Sequence, residues 1–141
     1  MIVIDDQLLF GILAHRPSPA LEALATNGVA TTSSWYFRLA RAIATGRAEG
    51  SLSRLVTDLD EPEQRAVRTS LGTLPASVET LTPRIIVPLM AAIASAASAN
   101  FLTLEALAVA IALDATIVTA TTTTLLESAA RLLHVPVVVL Y

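Results

Sequence analysis

The chain has 141 residues and contains neither cysteine nor lysine. The first absence excludes disulfides, thiolate zinc sites and cysteine nucleophiles. The second excludes a phosphate-cradling P-loop, whose motif requires a lysine. No G-x-S-x-G nucleophile elbow and no G-x-G-x-x-G dinucleotide turn occurs. Charge is scarce at 15% of residues, and nine arginines against twelve acidic residues leave a net charge of −3. That field does not favour nucleic acid in general, although a local basic patch is compatible with it. The all-arginine set reads first as compositional bias and second as a sign of sites needing a planar, permanently charged fork. Histidine is limited to His15 and His134, isolated from each other and without metal-ligand spacing, so structural or surface roles are expected. The first residues carry no basic stretch and no small-residue cleavage site. No signal peptide is therefore expected, and the expected location is the cytoplasm.

What the chain has in abundance is apolar surface, at 54% of residues. A single domain over 1–141 is expected, with a homodimer covering apolar surface that one small domain hides poorly. From Ile85 to Leu104 there are 20 residues without a charge. That length spans a bilayer. The interruptions at Pro88, Ser95, Ser98, Asn100 and Thr103 favour a helix, a turn near Asn100 and a second helix instead, so no membrane association is expected.

Hydrophobic patterning orders the elements. "MIVI" reads as a strand buried on both faces, and "QLLFGILA" as a helix ended by Pro17. "LEALATN" is a further helix stopped at Asn27-Gly28, and "GVATTS" holds a short strand. In "SSWYFRLARAIAT", Trp35, Leu39 and Ile43 share the core face, Arg38 and Arg41 share another, and Ser33 or Ser34 is the expected cap. The charged stretch 46–75 is read as two short solvated helices, and "SVETL" as a strand. A helix then starts at Thr82-Pro83 and is expected to bend at Pro88. "TLEALAVAIALD" is a helix, "TIVTA" a strand, "TLLESAARLLH" a helix capped by Thr124 with Glu127, and "VPVVVL" a last strand. Strands separated by helices imply a small parallel sheet in a three-layer α/β/α sandwich.

At this point the residues carry a resemblance. "MIVIDDQLLFGIL" resembles the first strand and helix of PIN domains. "LTLEALAVAIALDATIVTATTTTLLESAARLLHVPVVVL" resembles the carboxy-terminal half of that family more closely still. The resemblance implies a PIN-like fold and the ancestry of a magnesium- or manganese-dependent ribonuclease of toxin type. RNA as substrate and an antitoxin-like protein as partner come with it. It places Asp5 on the first family acid and Glu105 on the aspartate of Asp-Ala-Leu, as catalytic and weak metal-binding residues. Arg38 stands where the family has another acid, Thr121 where it has its last aspartate, and Gln7 where a small residue commonly supports the first acid. Arg38 and Thr121 are then substrate-binding candidates.

Each position also has a plainer reading. Asp5 suits the cap of the helix that follows, and Glu105 lies in a first helical turn where negative charge is favourable anyway. Asp6 is expected as a cap or surface residue, because neighbouring strand residues point oppositely. Thr121 suits a strand end and loop. Trp35, Tyr36 and Phe37 read as core packing before base stacking. Arg38 is either a solvent-facing arginine or an internal cation that reaches Asp5 and Glu105 in place of a metal. Two functions therefore stand side by side: a ribonuclease with a weakly held divalent ion, or a PIN-like binding or assembly module in which Arg38 closes the old pocket. A small-ligand domain is a weaker third.

Overall fold

A computed structural model describes residues 1–45 and 51–140. Five strands form one parallel sheet in the order β3-β2-β1-β4-β5. They are β1 (Ile2–Ile4), β2 (Val29–Thr31), β3 (Val78–Glu79), β4 (Thr116–Thr119) and β5 (Val137–Val139). The helices are α1 (Asp6–Leu13), α2 (Pro19–Leu24), α3 (Ser33–Thr45), α4 (Ser51–Thr57), α5 (Glu61–Gly72), α6 (Pro83–Ala96), α7 (Phe101–Leu113) and α8 (Thr124–Leu132). The order strand–helix–strand matches the sequence expectation. The start of the charged segment, 46–50, lies outside the described residues.

β1 is central, with Ile4 level with Thr31 on one side and Val118 on the other. Strand alternation divides its side chains between two cores. Ile2, Ile4 and Val118 face a core built with Leu9, Leu13, Leu39, Val67 and Leu71, from α1, α3 and α5. Val3, Ala30 and Ile117 face the opposite core, built with Ile86, Met90, Leu107 and Leu126, from α6, α7 and α8. The molecule is thus a three-layer α/β/α sandwich. α7 is buried nearly all round from Thr103 to Ala110, apart from Leu104, as an apolar helix between sheet and neighbours must be.

The uncharged stretch resolves as two helices. α6 and α7 meet at 114° around a break, and Asn100 caps α7 by accepting from the Thr103 N–H. Among the described residues no single helix is long and apolar enough to cross a membrane. Thr82 occupies the cap position of α6 and Pro83 the first turn, although the threonine side chain makes no capping bond. His15 and His134 are exposed and occupy left-handed positions, each with φ 56°, just past α1 and α8.

Two caps differ from expectation. For α8 the cap is Thr123, whose Oγ1 accepts from the Leu126 N–H at 3.2 Å, not Thr124. For α3 the cap is Thr32, whose Oγ1 accepts from the Trp35 N–H at 3.0 Å, not Ser33 or Ser34. In both runs of adjacent hydroxyl residues, composition cannot say which one keeps the extended backbone that a cap needs. A direct test is urea denaturation: Thr123→Ala lowers stability by about 1 kcal/mol, whereas Thr124→Ala stays within about 0.5 kcal/mol of wild type.

Candidate functional site

The carboxyl ends of β1 and β4 open on a cavity of about 270 Å³, lined among others by Asp5, Asp6, Trp35, Arg38, Thr119 and Thr121. Open parallel sheets bind ligands in this place, beyond their strand ends.

Asp5 follows β1 directly and caps α1. Its Oδ1 accepts from the Leu8 N–H at 2.9 Å, and its Oδ2 accepts from the Ala120 N–H at 2.8 Å, just beyond β4. Its own N–H donates to the Val118 carbonyl at 3.3 Å. One side chain therefore ties the ends of both central strands to the start of a helix. Burial pushes the Asp5 carboxyl up to about 6, against the lowering effect of its backbone donors and with a further push from the neighbouring Asp6 charge.

Asp6 is not the surface residue expected from strand alternation: it is 4% exposed. The strand has ended at Ile4, and Asp6 is already the first residue of α1, where successive side chains turn by about a quarter-circle instead of reversing. Its Oδ2 lies 3.3 Å from Arg38 Nε, too poorly aligned for a hydrogen bond. Burial raises its pKa, and the Arg38 charge opposes that rise.

Glu105 is also buried, at 6% exposed, but it does not line the cavity. Its Oε1 accepts from the Ser33 N–H and its Oε2 from the Ser34 N–H, both at 3.0 Å. Together with Thr32, it satisfies the first amides of α3. A negative charge at this helix end is also favoured by the helix dipole. The sequence placed Glu105 in a first turn where charge suits its own helix, but α7 begins at Phe101 and Glu105 is its fifth residue, past that turn. The structure turns that charge onto a different helix.

Arg38 is half-exposed and lines the cavity, and among the described residues its ion pair is with Asp6, not with Asp5 or Glu105. Thr121 lies exposed on the cavity lining. Of the aromatic trio, Trp35 is buried against the second core, Tyr36 donates its hydroxyl proton to the Leu71 carbonyl, and Phe37 is 63% exposed. Sequence reasoning missed Thr119, which is 2% exposed and whose Oγ1 has no hydrogen-bond partner among the described residues. The alternation in "TIVT" carried the signal, since Thr119 shares the face of Ile117 and continues it past the core.

These residues fit a hard divalent ion poorly. Such an ion needs several oxygens free to converge. Here every oxygen of Asp5 and Glu105 already accepts an N–H, and Asp6 faces a guanidinium. Among the described residues no group of three or more histidine, aspartate or glutamate side chains can hold a metal.

Two measurements check this site. Glu105→Gln leaves one α3 amide facing a donor, so urea denaturation shows a loss of about 1–3 kcal/mol. For Asp5, the unfolded chain releases the proton near 3.8, but the folded chain holds it to about 6. The folded state binds more protons between these values, so stability falls as pH rises through them. Relative to Asp5→Asn, wild type loses on the order of 2–3 kcal/mol from pH 4 to 6 and changes little above.

No family model matches the chain, and no curated protein matches it.

Proposed function

We propose that this chain is a PIN-like domain that binds a ligand at the carboxyl edge of its sheet and no longer cuts RNA. The observation that carries this reading is the Arg38–Asp6 contact, with a buried carboxylate oxygen 3.3 Å from a guanidinium nitrogen. A permanently charged arginine beside the acids supplies the positive charge that a metal ion would supply, and repels one. The commitment of Glu105 to the Ser33 and Ser34 amides supports the same reading, because it removes the second acid from the cavity. Metal-dependent hydrolysis of a phosphodiester needs an ion that positions and activates water. The acids of this chain are engaged in holding helix starts and an arginine.

The charge present suits binding. Asp6 gives negative charge and Arg38 a half-exposed guanidinium to one cavity lining, at the place where the resemblance puts a substrate. A homodimer belongs to the same reading. Ile85 and Val87 on α6 and Phe101 at the start of α7 are exposed by 48%, 57% and 66%, which favours cover by a second copy.

Calorimetric titration with magnesium and manganese at neutral pH tests the reading, alongside incubation of single-stranded and structured RNA with manganese. The expected result is no sub-millimolar metal binding and no cleavage above that of an Asp5→Asn control. Manganese-dependent cleavage that disappears in Asp5→Asn would favour the ribonuclease reading instead.

A further inference from the structure

The two edges of the sheet differ in how they are guarded. β3 is two residues long, carries the exposed Glu79 and lies between Pro75 and Pro83. Short length and charge both discourage pairing with another chain. β5 has no such guard. It consists of three valines, and no charged residue occurs from Val135 to Tyr141. An apolar edge of this kind is a template for a further strand.

The backbone of β5 is only half used. Ile117 donates its N–H to the Pro136 carbonyl at 2.9 Å, and Leu140 donates its N–H to the Thr119 carbonyl at 2.8 Å. In a parallel ladder with Val118 level with Val138, these bonds turn the N–H and C=O of Val138 toward β4. The N–H and C=O of Val137 and Val139 then point away from the sheet. Among the described residues nothing hydrogen-bonds to them. Val138 itself is 36% exposed.

α8 adds charges beside this edge. α7 and the end of α6 lie against one flank of α8, where Leu125, Ser128 and Leu132 share a groove with Ala96 and Ala97. Leu126, Ala129 and Ala130 face the core. Glu127 and Arg131, exposed and one helical turn apart, occupy the remaining flank, on the side of the free edge. The strands set their height. Leu126 lines the cavity with Thr119, and α8 runs back from there antiparallel to β4. A helix descends about 4.5 Å in three residues, and a strand about 3.3 Å in one. Val138, level with Val118 one step below Thr119, therefore lies near the height of Ala129, between Glu127 and Arg131.

These features fit one occupant, a second copy of the same edge. A two-fold axis through Val138 sets Val137 opposite Val139 of the second copy, and such a pair exchanges both N–H···O bonds, as antiparallel neighbours do. The same axis runs the two α8 helices antiparallel and brings Glu127 of each to Arg131 of the other. We infer that β5 is a self-association edge, at which two copies join their sheets in an antiparallel seam and pair their α8 helices through Glu127 and Arg131. This goes beyond ligand binding and uses a different surface from the exposed apolar residues of α6 and α7.

Sedimentation velocity of the whole chain from about 10 to 200 µM tests the inference. Wild type associates to at least twice the 14.8 kDa of one chain. Val139→Pro removes an outward N–H while sparing the ladder to β4, and Val138→Lys puts a charge on the edge, so each weakens association at least about tenfold. Glu127→Arg and Arg131→Glu each set like charges against like across the seam, so each alone associates about tenfold more weakly. Mixed in equal amounts, these two variants associate with each other as wild type does, which a merely structural role for either residue would not produce.

Wild type that stays monomeric overturns the inference, as does a dimer that both edge variants leave intact, or a charge-reversed mixture that stays apart. A dimer lost in Val87→Glu but kept in the edge variants belongs to the α6–α7 face, so the edge assignment falls and the homodimer proposed above stands. The charge-reversal mixture decides the matter even if Val139→Pro fails to fold.

Discussion

Asp5 holds the centre of this fold together. It ends the middle strand, starts the first helix and receives the amide that follows the neighbouring strand. Each of these is a place where the backbone leaves a regular ladder and an N–H needs a partner. A buried carboxylate with two backbone donors meets two such needs at once. It also brings a charge into the interior, which is why its proton is held to about 6. The same side chain thus positions the cavity and gives it its electrostatic character.

Glu105 applies the same chemistry on the other side of the sheet. Its carboxylate comes from α7 and reaches the first amides of α3. This bond crosses 72 positions of sequence. It docks the buried helix of one layer to the start of the helix that carries Trp35 and Arg38. Arg38 is therefore placed by a distant acid that does not touch it, and it meets Asp6 because α1 and α3 pack side by side. The pair is incomplete as a hydrogen bond, so the buried Asp6 carboxylate oxygen meets the guanidinium through charge alone. A cavity that looked like a depleted acid cluster becomes one with adjacent positive and negative walls.

The fold was largely legible in the residues. The β-branched runs at 2–4, 116–119 and 137–139 are strands, and Trp35, Leu39 and Ile43 are buried on one face of α3. The break at Asn100 is where the uncharged stretch turns. These features depend on local period and on turn chemistry, which neighbours in sequence express directly. Caps were legible only to within one residue. In "TTSS" and "TTTT" several hydroxyls qualify, and the choice depends on backbone angles that the rest of the fold imposes.

By itself, then, the sequence determined a parallel α/β sandwich, the strand-end location of Asp5 and the absence of cysteine and lysine chemistry. Only the tertiary structure decided which partner each charge received. It gave Glu105 to the amides of Ser33 and Ser34, Arg38 to Asp6, and, among the described residues, no hydrogen-bond partner to the Thr119 hydroxyl. The physical reason is range. Periodicity is set by residues three or four apart, but the energy of a buried charge is set by whatever groups the packed layers bring within hydrogen-bond distance, from anywhere along the chain.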